Sequence, residues 1–211
     1  MPYPKPITRL ISIFTKFPGI GPRQATRFAF FILNASQELT QELASALREV
    51  GEKISWCGQC FSSMEKEMHA ETRCVLCRDA KRDSRLIAIV ERESDMQNLE
   101  KTGAFHGAYH VLNGVVSPLD PESPKRLHLR ELFNRIKLLV EHDAAKIEII
   151  LATNSTTEGD TTALYIERIL APLKEKYPQI AISRLGRGLS LGAELEYADE
   201  ITLKNALTNR R

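Results

Sequence analysis

Apolar side chains recur at Ile7, Leu10, Ile11 and Phe14, the i, i+3, i+4, i+7 spacing that lines one face of a helix. The pattern stops at Phe17-Pro18-Gly19-Ile20-Gly21-Pro22. A second helix is predicted from Pro22, whose fixed φ suits a first helical turn, with Ala25, Phe28, Ala29 and Ile32 as its inward face. A third runs from about Ser36 to Ile54 and places Leu39, Leu43, Leu47, Val50 and Ile54 on one side. Residues 55–80 interrupt the periodicity. From Arg85 the texture changes to short apolar runs alternating with helical spacing: a strand over Leu86–Val90, a helix capped by Ser94 and closed at Gly103, and a strand over Ala108–Leu112. Then come a helix marked by Leu129, Leu132, Phe133, Ile136 and Val140, a strand over Ile147–Leu151, a helix over about 161–173 and a strand over Ile180–Ser183. Such alternation predicts a mostly parallel sheet with helices on both faces and ligands gathered at the carboxyl ends of the strands. There is no internal repeat and no low-complexity tract.

Composition narrows the class. A chain of 211 residues with 43% hydrophobic and 27% charged side chains fits a soluble globular protein, either one large domain or two to three small ones. No apolar run approaches the ~20 residues of a membrane span. The N-terminus, Met1-Pro-Tyr-Pro-Lys-Pro, lacks the charged-then-apolar order of a signal peptide, so the expected location is the cytoplasm.

The net charge of +2 hides an uneven distribution. Residues 1–37 carry Lys5, Arg9, Lys16, Arg23 and Arg27 and no carboxylate before Glu38, whereas residues 85–211 hold 17 basic and 18 acidic side chains. A basic segment on a balanced body suggests a polyanion contact at one end, or simply a solvated face.

All four cysteines fall in one stretch, Cys57-x₂-Cys60-x₁₃-Cys74-x₂-Cys77. Each CxxC turn aims two thiolates at one ion, and two turns complete a tetrahedral S₄ shell, so one structural Zn²⁺ per chain is expected. Disulfides would require an oxidising compartment, against the expected cytoplasmic location. A fully cysteine-ligated ion has no open position for water and stabilises the fold instead of performing chemistry. His69, inside the loop, reads as a solvated loop residue, since four thiolates already suffice.

Pro18-Gly19-Ile20-Gly21 between two helices is a candidate helix-hairpin-helix. Its glycines permit a tight turn, and the first N–H groups of the second helix can hold a phosphate oxygen. Lys16 precedes the turn, and Arg23 and Arg27 follow it one helical turn apart, an arrangement that binds backbone without reading sequence. The alternative is an ordinary Pro-Gly turn between helices. Glu91 ends the first strand of the α/β segment, with Asp95 beyond it, and the loop after the third strand reads Ala152-Thr-Asn-Ser-Thr-Thr-Glu-Gly-Asp160. Acids at neighbouring strand ends suit a Mg²⁺ site, or else they order loops and a helix's first turn. The glycine-rich run Arg184-Leu-Gly186-Arg-Gly188-Leu-Ser-Leu-Gly192-Ala-Glu194 has neither the GxGxxG order nor a Walker lysine, so a partner-contact loop or a plain crossover is expected before a nucleotide site.

Taken in order, these stretches closely resemble the RecR family of bacterial recombination mediators. The resemblance spans nearly the whole chain. It is carried by Phe17-Pro-Gly-Ile-Gly-Pro22, the cysteine pairs, Tyr109-His-Val-Leu112 with Ser117-Pro-Leu-Asp120, and Ile150-Leu-Ala-Thr-Asn154. Glu158-Gly159 with Thr162-Ala-Leu-Tyr165, and Leu195-Glu-Tyr-Ala-Asp199, complete the set. It implies an α+β multidomain protein: a helix-hairpin-helix DNA-binding domain over 1–54, a four-cysteine zinc finger over 55–80, an α/β Toprim domain with a mostly parallel sheet over 81–180, and a C-terminal glycine-rich loop and tail over 181–211. The implied function is DNA-repair mediation without catalysis, by a homo-oligomer (dimer or ring tetramer) that binds DNA with RecO, in some species also engages RecF, and helps load RecA on single-stranded DNA. Lys16, Gly19, Gly21, Arg23 and Arg27 would then meet the DNA backbone, and Glu91, Asn154, Glu158 and Asp160 would form the Toprim surface where partners dock.

Toprim enzymes supply the alternative, a Mg²⁺-dependent nuclease or primase. They share the glutamate matched by Glu91, and many carry two metal-binding aspartates after the third strand. Those two positions here fall on Asn154 and Thr156, which are neutral, so a divalent ion would be held weakly. Further departures are Ser155-Thr156-Thr157 where the family more often has Pro-Thr-Val, and Asp160 where Glu is common.

Overall fold

The computed structural model describes residues 3–66, 72–189 and 192–210, and the chain divides into two compact units, 1–54 and 55–211. His69 lies outside the described residues.

The first unit is helical: α1 (Lys5–Phe14), α2 (Pro22–Leu33) and α3 (Gln37–Lys53). Pro22 opens α2 at its first position, as its pre-set φ favours. Ser36 caps α3 by accepting the N–H of Leu39. Edge-to-face ring pairs, Tyr3 with Phe30 and Phe14 with Phe17 and Phe28, fasten α1 and its flanks to α2. Burial is sparse. Only Ala25 and Ala29 are buried among the described residues of this unit, and Phe28 and Ile32 are half-buried. The apolar stripe of α3 is exposed, from Leu43 at 40% to Leu47 and Val50 at 64%.

The second unit opens with a two-stranded sheet of β1 (Ile54–Trp56) and β2 (Ser63–Glu65), followed by the short α4 (Val75–Arg78). Then follow β3 (Asp83–Val90), α5 (Glu93–Lys101), β4 (Gly107–Val111), α6 (Leu129–His142), β5 (Ile147–Ala152), α7 (Thr157–Lys176), β6 (Ile180–Arg184) and α8 (Glu200–Thr208). Strands β3 to β6 form one sheet in the order β4-β3-β5-β6. Every pairing is parallel, with Ala88 opposite Tyr109 on one side and Ile150 on the other, and Ile149 opposite Ile182.

The two faces of this sheet are covered differently. Ile87, Ile89, Ile147, Ile149 and Leu151 face α6 and α7, which contribute Leu132, Ile136, Ile166 and Leu170, all fully buried. Ala88, Val90, Tyr109, Val111 and Ala152 face the opposite way, where Met96 of α5 packs beside Cys57, Cys60 and Cys74. The expectation of helices on both faces therefore holds for α6 and α7 on one side, while on the other the cysteine segment shares the task with α5.

Two boundaries differ from the sequence reading. Helix α5 starts at Glu93, because Asp95 reaches back to accept the Arg92 N–H at 3.0 Å; Ser94 lies inside the first turn and caps nothing. Helix α7 starts at Thr157, four residues before the predicted point, because Thr156 accepts the N–H of Gly159 at 3.1 Å. Glu158 and Asp160 consequently sit in a helical first turn, where their charge suits the helix dipole.

Candidate nucleic-acid interface, metal centre and Toprim surface

In the helical unit the turn between α1 and α2 depends on Gly19, whose φ of +76° falls in the left-handed region that glycine enters freely. Gly21 is the residue before α2 and offers no side-chain cap, so the first N–H groups of the helix face outward unpaired by any cap. A Cβ added at Gly19 or Gly21 would meet nothing within 4 Å, so both stand on open surface. Lys16, Arg23 and Arg27 are exposed around this turn. None of the three has a hydrogen-bond or ion-pair partner among the described residues, and α2 has no acid in its first turn. Five residues predicted as one DNA-binding group are thus brought together as an uncapped helix start ringed by free cations, an arrangement suited to a phosphate oxygen.

In the second unit the four cysteine Sγ atoms lie within 4.8 Å of one another, with Cys60 and Cys74 at 3.5 Å. A tetrahedron of thiolates ~2.3 Å from a zinc ion has edges of roughly 3.8 Å, so the donor set fits. The first knuckle is shaped by Phe61 in the left-handed region at φ 63° and by a hydrogen bond from Phe61 N–H to the Cys57 carbonyl. The N–H groups of Cys60 and Cys74 point at Cys57 Sγ, at 3.5 and 3.3 Å, as donors do toward metal-bound sulfur. The four thiols share hydrogen bonds with one another. Those from Cys60 first, then Cys74 and Cys77, hold Cys57 far below the ordinary thiol range, and bonds with Cys57, Cys60 and Cys74 push Cys77 far above it. A divalent cation bound there would remove that competition, since all four sulfurs would then be thiolates.

Arg135 of α6 stands behind this centre. Its Nη1 donates to the carbonyl oxygens of Tyr109 at 2.6 Å and Gln59 at 3.2 Å. Burial works against its charge, and the sulfurs of Cys77, Cys60 and Cys57 work for it. The Cys60 carbonyl accepts the Val111 N–H at 2.8 Å, and Phe61 stacks on His128 with centroids 4.0 Å apart. His110 is fully buried beside them. Its Nε2–H donates to the His128 carbonyl at 2.8 Å, and its Nδ1 has no partner among the described residues. Neither Arg135 nor His110 was singled out in the sequence. The one available signal was the Tyr109-His110-Val111 run, which marks a strand and not a role.

At the carboxyl ends of β3 and β5, Glu91 is 3% exposed and accepts from Asn154 twice: the main-chain N–H at 2.8 Å and the side-chain amide at 2.6 Å. A Cβ at Gly159 would collide with the Asn154 carbonyl and lie 2.7 Å from Glu91 Oε1, so Gly159 is what lets α7 begin so close to this pair. Glu91, expected on the partner-docking surface, therefore lies beneath it. Its carboxylate is turned inward to hold the β5–α7 loop. Asn154 and Glu158 are exposed. Asp160 is engaged by Arg187, with Arg187 Nη1 3.2 Å from its Oδ2, and by Arg184 at 3.5 Å. The Arg187 guanidinium holds its carboxyl below the usual carboxylate range. The glycine-rich run thus docks on α7 through two arginines. Thr156 is occupied as a helix cap. Among the described residues, the cysteine cluster is the only group of three or more His, Cys, Asp or Glu side chains placed to hold a metal ion.

Comparison with known proteins agrees along the chain. Residues 7–50 match the family model described as RecR, helix-hairpin-helix; residues 85–185 match the Toprim domain; and residues 188–211 match RecR, C-terminal. The recombination protein RecR of Myxococcus xanthus (strain DK1622) is 45% identical over 208 residues, covering 99% of this chain and 98% of the relative. That of Cutibacterium acnes is 44% identical over 208 residues, covering 99% and 96%. That of Enterococcus faecalis is 39% identical over 211 residues, covering 100% and 99%. With identity well above 30% across essentially the full length of each, the chain belongs to the RecR family.

Proposed function

We propose that this protein is a DNA-binding mediator of recombinational repair that acts through binding alone. It works in the cytoplasm with RecO, and in some organisms RecF, to help load RecA on single-stranded DNA. The observation that carries the reading is the α1–α2 hairpin: an uncapped helix start at Gly21 flanked by Lys16, Arg23 and Arg27, exposed and unpaired among the described residues. These groups meet phosphates without reading bases. The partner surface centres on Asn154 and Glu158, with Glu91 and Asp160 shaping it from below and beside.

The four thiolates hold one structural Zn²⁺, which contributes folding free energy and no chemistry. A homo-oligomer, dimer or ring tetramer, is supported by the exposed α3 stripe of Leu39, Leu43, Leu47 and Val50. The non-catalytic reading rests on the Toprim positions. Glu91 is committed to Asn154, and neutral Asn154 and Thr156 stand where enzymes place aspartates.

The test is DNA binding by the whole protein across a salt series, with and without RecO and Mg²⁺. Arg23→Glu with Arg27→Glu is expected to weaken binding by about tenfold or more and to flatten the salt slope by about 2, while the DNA stays intact. Unchanged binding would reduce the hairpin to a fold element. Mg²⁺-dependent cutting or primer synthesis would establish the enzyme alternative.

A further inference from the structure

The second unit carries a concave surface outside the sites described above. Between the outer sides of α6 and α7 runs a cleft of 480 Å³. Its floor is Leu129 and Phe133 of α6 with Tyr165 and Ile169 of α7, the partly exposed rings and the isoleucine resting on the core beneath. Its charged lining is entirely basic, Lys125, Arg130 and Arg168, with no carboxylate, although the whole chain carries 27 acids against 29 bases.

The three cations are not alike. Lys125 is bonded to Glu122 at 2.8 Å. Arg130 and Arg168 are exposed and have no hydrogen-bond or ion-pair partner among the described residues. The fold explains neither arginine. Several arginines of this unit are by contrast neutralised at home: Arg82 by Glu100, Arg126 by Asp120, Arg184 by Glu167 and Arg187 by Asp160.

We infer that this cleft docks an acidic peptide segment of a partner protein, one that seats a large apolar side chain on Phe133, Tyr165 and Ile169 and places carboxylates beside Arg130 and Arg168. An apolar floor supplies affinity by burying the anchor, and the guanidinium pair sets orientation and selects acidic flanks. Nucleic acid fits less well. Two free cations fall short of a phosphate-tracking groove. The inference does not depend on the hairpin's role.

The experiment uses the full-length protein and a fluorescent synthetic peptide of aspartates flanking a Phe-Leu pair, read by anisotropy at several salt concentrations. The same peptide with Ala-Ala at its centre, and a single-stranded oligonucleotide of similar length, run in parallel. Arg130→Glu with Arg168→Glu is expected to weaken peptide binding by about tenfold or more. The Ala-Ala peptide is expected to bind wild type comparably weakly. Oligonucleotide affinity, sedimentation mass and melting temperature should stay as in wild type, since both arginines are unpaired surface residues, and an Arg130→Gln/Arg168→Gln pair guards against effects of the new acids. Equal peptide affinity in wild type and variants overturns the proposal. So does a matching loss of oligonucleotide binding, which would assign the cleft to DNA. A change of mass also overturns it, since the cleft would then be an interface between copies of this chain.

Discussion

The two units spend their apolar residues in opposite ways. In residues 55–211 a four-stranded sheet is covered on both faces, and side chains such as Ile87, Ile149, Leu132 and Ile166 lose all contact with water. In residues 1–54, Ala25 and Ala29 alone are buried among the described residues, and the best apolar stripe, along α3, is 40–64% exposed from Leu43 to Leu47. The first arrangement is self-sufficient. The second keeps helical order through capping and ring pairs while leaving its hydrophobic free energy largely unspent, as expected of an element designed for company. The contrast also divides function. The densely packed unit carries the four-cysteine cluster and the Glu91–Asn154 pair, and the sparsely packed one carries the hairpin cations Lys16, Arg23 and Arg27.

Removing the metal should widen this contrast most. Cys57, Cys60 and Cys74 belong to the core on one sheet face, so chelation or Cys57→Ser is expected to cost about 4 kcal/mol or more in the second unit. Amide exchange should accelerate in β3, β4 and α5 while α1 and α2 exchange as before. A variant that keeps its ion and melts like the parent would break the link between metal and core.

Acid should act next, again on the second unit. Burial, ahead of the charges of Arg135 and His128, pulls His110 down from 6.5 to about 3, against a hydrogen bond to the His128 carbonyl. The folded state then holds this imidazole neutral while the unfolded chain binds a proton below about 6.5, so stability is present above that pH and is lost as pH falls toward 3. At pH 5 the loss is about 2 kcal/mol. Denaturant titrations at pH 7.5 and 5 should show it, and His110→Gln should flatten the difference. A parent whose midpoint is the same at both values would remove the claim.

The smallest effect on folding is expected at Leu47. At 64% exposure, Leu47→Asp should leave the main transition within about 0.5 kcal/mol, yet lower the mass seen by sedimentation where α3 meets another copy. A large loss of stability with unchanged mass would show that the stripe is covered within one chain after all.

Periodicity announced α1 to α3, α5 to α7 and β3 to β6, because spacing of 3.6 or short apolar runs survive whatever packs upon them, but it did not announce the short β1, β2 and α4 or the terminal α8. It reported less well on what does the packing. Nothing in Cys57–Cys77 says that the finger will serve as part of a sheet cover, and the α3 stripe reads the same whether buried or bare. The start of α7 was hidden because Thr156 and Thr157 are polar and β-branched, and Gly159, normally a breaker, is required there by the nearness of Asn154. Chemistry was legible where one short motif contains it, as in the cysteine pairs and the Gly19–Arg27 turn. It was not where partners are far apart in the chain. Glu91 meets Asn154 across 63 residues, and Asp160 meets Arg187 across 27.

Strand β4 has a neighbour on one side only, and on the other the Tyr109 carbonyl is taken by Arg135 and the Val111 N–H by the Cys60 carbonyl. Bare strand margins of this kind are templates on which foreign β-segments add and aggregates grow. The first cysteine knuckle thus also works as a selvedge. An ion bound by the four cysteines would hold that edge closed, and loss of the ion is then expected to favour clumping of this protein as well as its unfolding.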